Sequence, residues 1–338
     1  MRHSNTYRGR NGIAAFAAIL AVSLASTSAR AAIYESGFVE IGGLDQWIQV
    51  RGADEKNPIL LWVNGGPGGS TMFDSFAFEP WEEHFTVVMW DQRGEGKTFE
   101  KHGRSFAGAM TVERMSEDGI EVAEYLRRRL PDAKIVLLGH SWGSILGVHM
   151  IKRRPDLFAA YVGTGQVVAV REQFEAAYPV LLDRAREQGN ADAERELKAA
   201  GPPTASNPSA YDITNKWGAL LEPPQQPPVR QFTFPPRGTQ RPTYIAEGEA
   251  FSHEVLDHAL EDEDVTKLGT EFKTAVLFFQ GDLDLITTSS VVRSYYDRLE
   301  APVKRFVVLP GAGHLAIFRA RDAFLDALLA EVAPMVSK

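Results

Sequence analysis

Cysteine is missing from this 338-residue sequence, and its absence excludes disulfide bonds and metal sites built from thiolates. An excess of positive charge is missing as well, since 36 Lys and Arg residues face 44 Asp and Glu residues. Such an acidic chain is repelled by phosphate backbones, so we expect no nucleic-acid partner. Beyond its N-terminal region the sequence also lacks any apolar run long enough to span a bilayer, so we expect no stable membrane insertion.

The first 31 residues have the pattern of a secretory signal peptide. Three arginines precede an apolar stretch from Ile13 to Leu24, and small residues follow as far as Ala31. The apolar stretch is too short to span a bilayer comfortably, which favours export over a membrane anchor. We therefore expect cleavage after Ala31 and a periplasmic or secreted protein.

The rest of the chain has the composition of a globular protein, with 44% hydrophobic and 24% charged residues over the whole sequence. Short apolar runs alternate with helical patterns over residues 32–165, and this alternation resumes over residues 272–338. Continuous apolar runs suit strands that are covered on both faces. The fold class we predict is therefore α/β, a mostly parallel sheet with helices on both faces. The predicted strands are residues 37–42, 45–50, 58–63, 85–90, 134–138, 159–162, 275–280 and 305–309, and the predicted helices outside the segment 166–271 are residues 111–130, 144–152 and 317–332.

Residues 166–271 interrupt the alternation. Their pattern is helical from Arg171 to Ala200 with breaks near Pro179 and Gly189, then irregular, and again helical over residues 247–261. Seven prolines between residues 222 and 242 exclude a helix interior or a central strand there. Ligands of open α/β sheets bind at the carboxyl edge of the strands, so we interpret this segment as a cap domain over that edge. A plain surface insertion is the alternative.

The pentapeptide Gly139-His140-Ser141-Trp142-Gly143 joins a predicted strand to a predicted helix. It fits the pattern G-x-S-x-G, in which a serine occupies the apex of a sharp strand-to-helix turn. The turn strains the backbone of the serine, and the two glycines avoid clashes with the strand and the helix. A serine hydroxyl needs a general base to attack a carbonyl, and the base needs an orienting carboxylate. Ser141 is therefore the candidate nucleophile.

The order of the chain restricts the base and the acid, because in this arrangement the serine comes first, the acid second and the histidine last. Of eight histidines, only His314 follows the region of the candidate acids, in a glycine-rich loop after a strand. Asp282 and Asp284 are both candidates for the acid. We favour Asp284, which lies further from its strand and has more room to reach His314; capping of the loop is the alternative role for either aspartate.

Two backbone N–H groups are needed to stabilise the negative oxygen that forms during attack on a carbonyl. One is expected from Trp142, directly after the nucleophile, and the other from the glycine-rich loop of residues 64–70. Pro67 has no N–H, so Gly66 is the first choice and Gly65 the second. A cradle for phosphate is a weaker interpretation of this loop, because it lacks the Gly-Lys-Ser/Thr ending of such cradles.

Three ordered motifs resemble those of the proline iminopeptidase (prolyl aminopeptidase) family of α/β-hydrolases: Asn64-Gly65-Gly66-Pro67-Gly68-Gly69, Asp91-Gln92-Arg93-Gly94-x-Gly96 and Gly139-His140-Ser141-Trp142-Gly143-Ser144. The resemblance covers about residues 37–165 and 272–335. It implies an α/β-hydrolase fold with an inserted, largely helical cap, and a triad of Ser141, Asp284 and His314 with the oxyanion held by Gly66 and Trp142.

The resemblance also implies that glutamates of the cap hold the free amino group of the substrate. The stretch from Tyr244 to Phe251 is similar to one of the family's cap stretches, and it favours Glu249 before Glu247 for this role. The chain departs from the family at position 64, where Asn replaces the usual His, and in its proline-rich run. These departures concern the substrate rather than the triad.

The resulting expectation is an exported serine hydrolase that uses a covalent acyl-enzyme and needs no metal or organic cofactor. We expect an aminopeptidase that releases N-terminal residues, including proline, from short peptides. A carboxylesterase or lactonase acting on a small acyl substrate is the nearest alternative, and a non-catalytic binding protein on a hydrolase scaffold is a remote one.

Overall fold

An eight-stranded sheet organises the computed structural model, which describes Met1 and residues 31–70, 72–222 and 242–336. The strand order is β1-β2-β4-β3-β5-β6-β7-β8, and within the described residues β2 alone runs against its neighbours. The mostly parallel sheet confirms the predicted fold class, and each predicted strand is present with ends shifted by a few residues. The strands are β1 (Ile33–Ile41), β2 (Leu44–Gly52), β3 (Ile59–Val63), β4 (Thr86–Asp91), β5 (Ile135–His140), β6 (Phe158–Thr164), β7 (Ala275–Gly281) and β8 (Lys304–Leu309).

Helices cover both faces of the sheet, and alternate residues of each central strand belong to different apolar clusters. In β3, Leu61 packs in one cluster with Leu126, whereas Trp62 packs in the other with Phe78 and Phe324. Such two-sided burial explains why the central strands read as continuous apolar runs. The helices are α1 (Gly96–His102), α2 (Val112–Arg129), α3 (Trp142–Arg153), α4 (Val170–Glu187), α5 (Ala191–Ala200), α6 (Ser209–Leu221), α7 (Thr243–Leu260), α8 (Ser289–Arg298), α9 (Ala316–Arg319), α10 (Arg321–Ala327) and α11 (Ala333–Val336).

The chain between β6 and β7, which we call the insert (residues 166–271), contributes no strand to the sheet in its described part. It forms α4, α5, α6 and α7, and the first three share a small apolar cluster that also contains Leu285 of the core. Residues 223–241 of its proline-rich run and residues 2–30 of the predicted signal peptide lie outside the described residues. Within the described ranges, no helix has the length and apolar character of a membrane span.

The predicted break near Pro179 is wrong, because α4 continues through this proline. Proline removes one hydrogen bond of the helix, but Ala177, Leu181 and Ala185 are fully buried on one face of α4 and hold the helix together. The break near Gly189 is confirmed, since Gly189 takes a φ of +64° between α4 and α5.

Two other helical segments differ from the sequence prediction. Helix α6 lies in a stretch predicted to be irregular, and its residues Thr214, Trp217 and Leu221 form a buried helical stripe. The single final helix predicted over residues 317–332 is instead divided into α9, α10, a π-helical turn at Leu328–Val332 and α11. The first interruption falls at an alanine, Ala320, and not at a glycine or a proline, so the sequence contains no signal for this break.

Candidate active site

Ser141 occupies the sharp turn between β5 and α3, with a φ of +50° and a ψ of −122°. It is the one non-glycine residue with a positive φ in the described part of the chain. A Cβ atom at Gly139 would lie 2.6 Å from the carbonyl oxygen of Gly143, and one at Gly143 would overlap the carbonyl oxygen of Val63. Both glycines are therefore needed for the strand and the helix to meet at this angle.

The turn brings Ser141 into a chain of hydrogen bonds with the other two predicted triad residues. The Oγ of Ser141 lies 3.0 Å from the Nε2 of His314, and the Nδ1 of His314 lies 3.1 Å from the Oδ2 of Asp284. His314 and Asp284 are buried, while Ser141 is partly exposed and can be reached from solvent. These contacts have the geometry that a nucleophile, a base and an orienting acid require.

Asp284 is held by donors on both of its carboxylate oxygens. Its Oδ1 accepts from the backbone N–H groups of Ile286 at 2.9 Å and Thr287 at 2.7 Å, and its Oδ2 accepts from the hydroxyl of Thr287 at 2.5 Å and the amide of Gln280 at 2.9 Å. Burial alone would raise the pKa of Asp284, but the charge and hydrogen bond of His314, together with Thr287, lower it below the usual value. The carboxylate is thus kept ionised beside the histidine.

The second candidate acid has a different role. Asp282 is exposed, and its Oδ1 accepts a hydrogen bond of 2.7 Å from the backbone N–H of Gly311. This contact ties together the loops that follow β7 and β8, which is a capping role. Of the two aspartates, the structure places Asp284 against His314 and Asp282 against Gly311.

The backbone of His314 is fixed on both sides. Its N–H donates to the Oε1 of Glu222 at 2.7 Å, and its carbonyl oxygen accepts from the Nε2 of His140 at 3.0 Å. Burial and the neighbouring His314 lower the pKa of His140 to about 3, so this ring is a neutral packing partner. Burial would lower the pKa of His314 too, but the charge and hydrogen bond of Asp284, with a contribution from Glu222, hold it above the usual value.

The predicted donors of the oxyanion hole lie beside the nucleophile. Gly66 and Trp142 line the same cavity as Ser141. Trp142 is the first residue of α3, where backbone N–H groups have no partner within the helix. Among the described residues, neither its N–H nor that of Gly66 donates a hydrogen bond. A side chain at position 66 would strike the backbone nitrogens of Gly68 and Gly69 at 2.7 Å, so only glycine fits there.

The buried carboxyl groups of Asp91 and Glu95 hold the glycine-rich loop through hydrogen bonds. The side-chain amide of Asn64 donates to the Oε1 of Glu95 at 2.9 Å and to the carbonyl oxygen of Gly69 at 2.9 Å. The hydroxyl of Ser70 donates to the Oδ1 of Asp91 at 2.5 Å. Burial raises the pKa of Asp91 to about 6, and burial together with the charge of Asp91 raises the pKa of Glu95 well above its usual value. No sequence pattern connects Asn64 with Glu95, because the two residues are 31 positions apart in the chain.

A cavity of about 220 Å³ opens beside Ser141 between the sheet edge and the insert. The core side contributes apolar side chains such as Ile145 and Ile286, and the insert contributes aromatic, polar and further apolar ones. Three acidic residues of the insert line it, Asp212, Asp257 and Glu261. Asp257 accepts a hydrogen bond from the Nδ1 of His253 at 2.7 Å. This arrangement can hold a small acyl group near the serine and a positive charge near the acidic side chains.

The two predicted substrate-binding glutamates are placed elsewhere. Glu247 is exposed and Glu249 is half-buried on α7, and neither is among the described residues that line this cavity. The Cα of Glu249 instead packs against the glycine-rich loop, 2.8 Å from where a Cβ of Gly68 would lie. The described residues also contain no group of three or more His, Asp or Glu side chains that could hold a metal ion.

Comparisons with known proteins agree with this architecture. The chain matches the protein-family model described as alpha/beta hydrolase fold over residues 58–320. It is 29% identical to the probable aminopeptidase YbaC of Bacillus subtilis over 303 residues, which cover 86% of this chain and 93% of that relative. A proline iminopeptidase of Saccharolobus solfataricus is 23% identical over 87% of this chain and 91% of its own.

A solved structure shows the same likeness. The crystal structure of the proline iminopeptidase of Mycobacterium smegmatis superposes with a TM-score of 0.61 at 21% identity, covering 89% of this chain and 98% of the other. At that identity the structural likeness shows the fold alone. Together with the named relatives, it confirms the resemblance that the three sequence motifs predicted.

Proposed function

The chain belongs to the alpha/beta hydrolase fold family, and on that premise we propose that it is a serine hydrolase acting through a covalent acyl-enzyme. The observation that carries the proposal is the continuous hydrogen-bonded path from Ser141 through His314 to Asp284. Chance would rarely place a strained serine, a buried histidine and a carboxylate with a lowered pKa in this order and at these distances.

In the proposed first half-reaction, the Oγ of Ser141 attacks the carbonyl carbon of the substrate and its proton passes to the Nε2 of His314. Asp284 orients the ring and stabilises the imidazolium that forms. The negative oxygen of the tetrahedral intermediate accepts hydrogen bonds from the N–H groups of Gly66 and Trp142. His314 then gives its proton to the leaving group, and the acyl group remains on Ser141.

In the second half-reaction, water takes the place of the leaving group. His314 removes a proton from the water as it attacks the acyl-enzyme, the same two N–H groups hold the second tetrahedral intermediate, and the proton returns to the Oγ of Ser141. The acid is released and the free enzyme is restored. No cofactor enters either half-reaction.

For the substrate, we propose a short peptide with a free N-terminus, from which the N-terminal residue, including proline, is released. Relatives named as an aminopeptidase and as a proline iminopeptidase support this choice. The acidic lining of the cavity, contributed by Asp212, Asp257 and Glu261, supports it independently, because carboxylates stabilise a nearby ammonium group. We further propose that the insert is the cap of the site and that residues 1–31 direct export to the periplasm or the medium.

The test is a parallel screen of aminoacyl-arylamides, proline included, and simple aryl esters against the wild-type chain and Ser141→Ala. We expect arylamide turnover that requires a free amine, so acetylation of the substrate's N-terminus blocks it. Ester turnover with no arylamide turnover would indicate the carboxylesterase or lactonase alternative. Loss of fluorophosphonate labelling in Ser141→Ala is expected, and retained stoichiometric labelling at another serine would exclude the proposed nucleophile.

A further inference from the structure

A carboxylate of the insert reaches the loops that carry both partners of the nucleophile. Glu222 directly follows the last residue of α6. Its Oε1 accepts a hydrogen bond of 2.7 Å from the backbone N–H of His314 and a longer one of 3.4 Å from the backbone N–H of Leu285, which follows Asp284. One side chain from the insert therefore bridges the loop of the acid and the loop of the base.

The core is shaped to admit this carboxylate. A Cβ atom at Gly313 would overlap the Oε2 of Glu222, although the backbone of Gly313 does not have a positive φ. The carboxylate of Glu222 can occupy this place only while residue 313 has no side chain. Any side chain at residue 313 would push Glu222 away from the N–H of His314.

The contact completes the restraint on the base. The carbonyl of His314 is held by His140 and its N–H by Glu222, so its peptide groups are fixed on both sides of the Cα. The orientation of the imidazole toward Ser141 depends on this backbone. An error of about 1 Å in the placement of a catalytic group can reduce turnover about 100-fold.

From this geometry we propose that Glu222 is a positioning residue for His314, one that fixes the backbone of the base from the insert and adds a negative charge beside its ring. The proposal rests on the proposed function, because it assigns His314 the part of general base. It gives the insert a role in the chemistry in addition to forming a wall of the cavity.

The electrostatic part concerns every charged or titratable group that faces His314. Asp284 approaches from the loop after β7, Ser141 and His140 from the end of β5, and Glu222 from the end of α6. Burial lowers the pKa of His314, and Asp284 and then Glu222 raise it. Burial raises the pKa of Glu222 itself, while the hydrogen bond from His314 acts in the opposite direction.

The experiment measures the rate at which a fluorophosphonate labels Ser141 as a function of pH, in the full chain and in variants at Glu222. Neutral His314 is the active base, so labelling accelerates as pH rises through its pKa. Glu222→Gln keeps an acceptor oxygen but removes the charge, so we expect its acidic limb to move to lower pH. Glu222→Ala also releases the backbone, and we expect labelling about 10- to 100-fold slower on the plateau.

Two further variants are measured, Gly313→Ala as a second test and Glu187→Gln as a control. Gly313→Ala displaces the carboxylate without altering it and should reproduce the slow labelling of Glu222→Ala. Glu187 is an exposed glutamate of α4, and its replacement by glutamine should leave the profile unchanged. If Glu222→Gln gives the wild-type pH profile, or if Gly313→Ala labels at the wild-type rate, the inference is wrong.

Failure of the proposed function would look different from failure of this inference. A wild-type chain that is never labelled at Ser141 contradicts the function itself. Normal labelling of the wild type with an unchanged profile in Glu222→Gln contradicts only the role of Glu222. If Glu222→Ala does not fold, the glutamine variant still decides the matter, because its side chain has the same shape.

Discussion

Asp284 and Glu95 are both buried carboxyl groups near Ser141, yet their pKa values move in opposite directions. Asp284 is 4% exposed and Glu95 is 0% exposed. The pKa of Asp284 falls because burial is outweighed by the charge of His314 and by the donors of Thr287. The pKa of Glu95 rises because burial is reinforced by the charge of Asp91. Burial is common to both sites, so the neighbouring charge decides the outcome.

The opposite pKa shifts distinguish two regions beside Ser141. The base side consists of the loops that carry Asp284 and His314, and the oxyanion side is the glycine-rich loop of residues 64–70. On the base side, an ionised acid faces His314, and in the proposed mechanism the contact changes strength as the imidazole gains and loses its proton. On the oxyanion side, Glu95 faces amide and backbone donors, and nothing there changes charge when the substrate reacts. We therefore expect substitutions on the base side to act mainly on turnover, and those on the oxyanion side to act on turnover and stability together.

The largest effect is expected for the acid of the base side. Asp284→Asn removes the charge that stabilises the imidazolium and presents a donor to Nδ1, so we expect turnover to fall roughly 10³- to 10⁴-fold. The measurement is kcat on the best substrate from the screen. Asp282→Asn is the matched control in the same loop and should retain most of the activity. A stronger loss in Asp282→Asn would show that the acid is misassigned.

An intermediate effect is expected on the oxyanion side. Glu95→Ala removes one acceptor of the Asn64 amide and the acceptor of the backbone N–H of Gln92. We expect the free energy of unfolding to fall by about 1–3 kcal/mol and kcat to fall about 10- to 100-fold as the loop loses its position. Urea unfolding and steady-state kinetics measure the two effects.

Glu100→Ala serves as the control for this change, because Glu100 is an exposed glutamate of α1 just beyond Glu95. It should alter neither the stability nor the kinetics. If Glu95→Ala is destabilised but keeps its full kcat, the buried carboxyl supports the fold and does not position the loop.

The smallest effect is a pH dependence of stability from Asp91. Burial raises the pKa of Asp91 in the folded chain to about 6, above the unfolded value of about 4. The folded state therefore binds this proton more tightly than the unfolded state does. The stability that the proton contributes is fully present below the pKa of the unfolded state and is lost as pH rises through the pKa of the folded state. The Tm of Asp91→Asn minus the Tm of the wild type should therefore increase as pH rises from the unfolded to the folded pKa, because only the wild type loses this stability.

The comparison needs a control for the loss of one acidic group. Asp132→Asn changes an exposed aspartate and should show a difference in Tm that does not follow this course. A pH-independent difference for Asp91→Asn as well would mean that Asp91 does not carry its proton in the folded chain at mildly acidic pH.

The sequence predicted the sheet and the placement of Ser141, Asp284 and His314 because local patterns encode them. Buried strands appear as apolar runs, the two glycines beside Ser141 report a close approach of backbones, and chain order leaves one histidine for the base. Glu222, Thr287 and the pair Asn64–Glu95 were not found. Their contacts join residues distant in sequence, or depend on a side-chain rotamer, and no short pattern records either.

The insert was the least predictable region for a related reason. Pro179 suggested a break that packing overrides, and α6 has its buried stripe in a stretch rich in loop-forming residues. The glutamates favoured by resemblance lie on α7, whereas the acidic side chains of the cavity come from both α6 and the end of α7. Which face of a helix meets the site depends on its rotation about its axis, and the sequence of the helix alone does not specify this rotation.

The insert touches core glycines both in the glycine-rich loop and beside His314, and this limits how the enzyme can be re-engineered. Ser252 and Glu249 of α7 fit against Gly68, and Glu222 fits against Gly313. An insert taken from another hydrolase would need to present small groups at the first contact and a carboxylate at the second. Exchange of the insert alone would therefore alter the rate of bond cleavage as well as the choice of substrate, so a chimera designed for new specificity has to carry both contact sets with it.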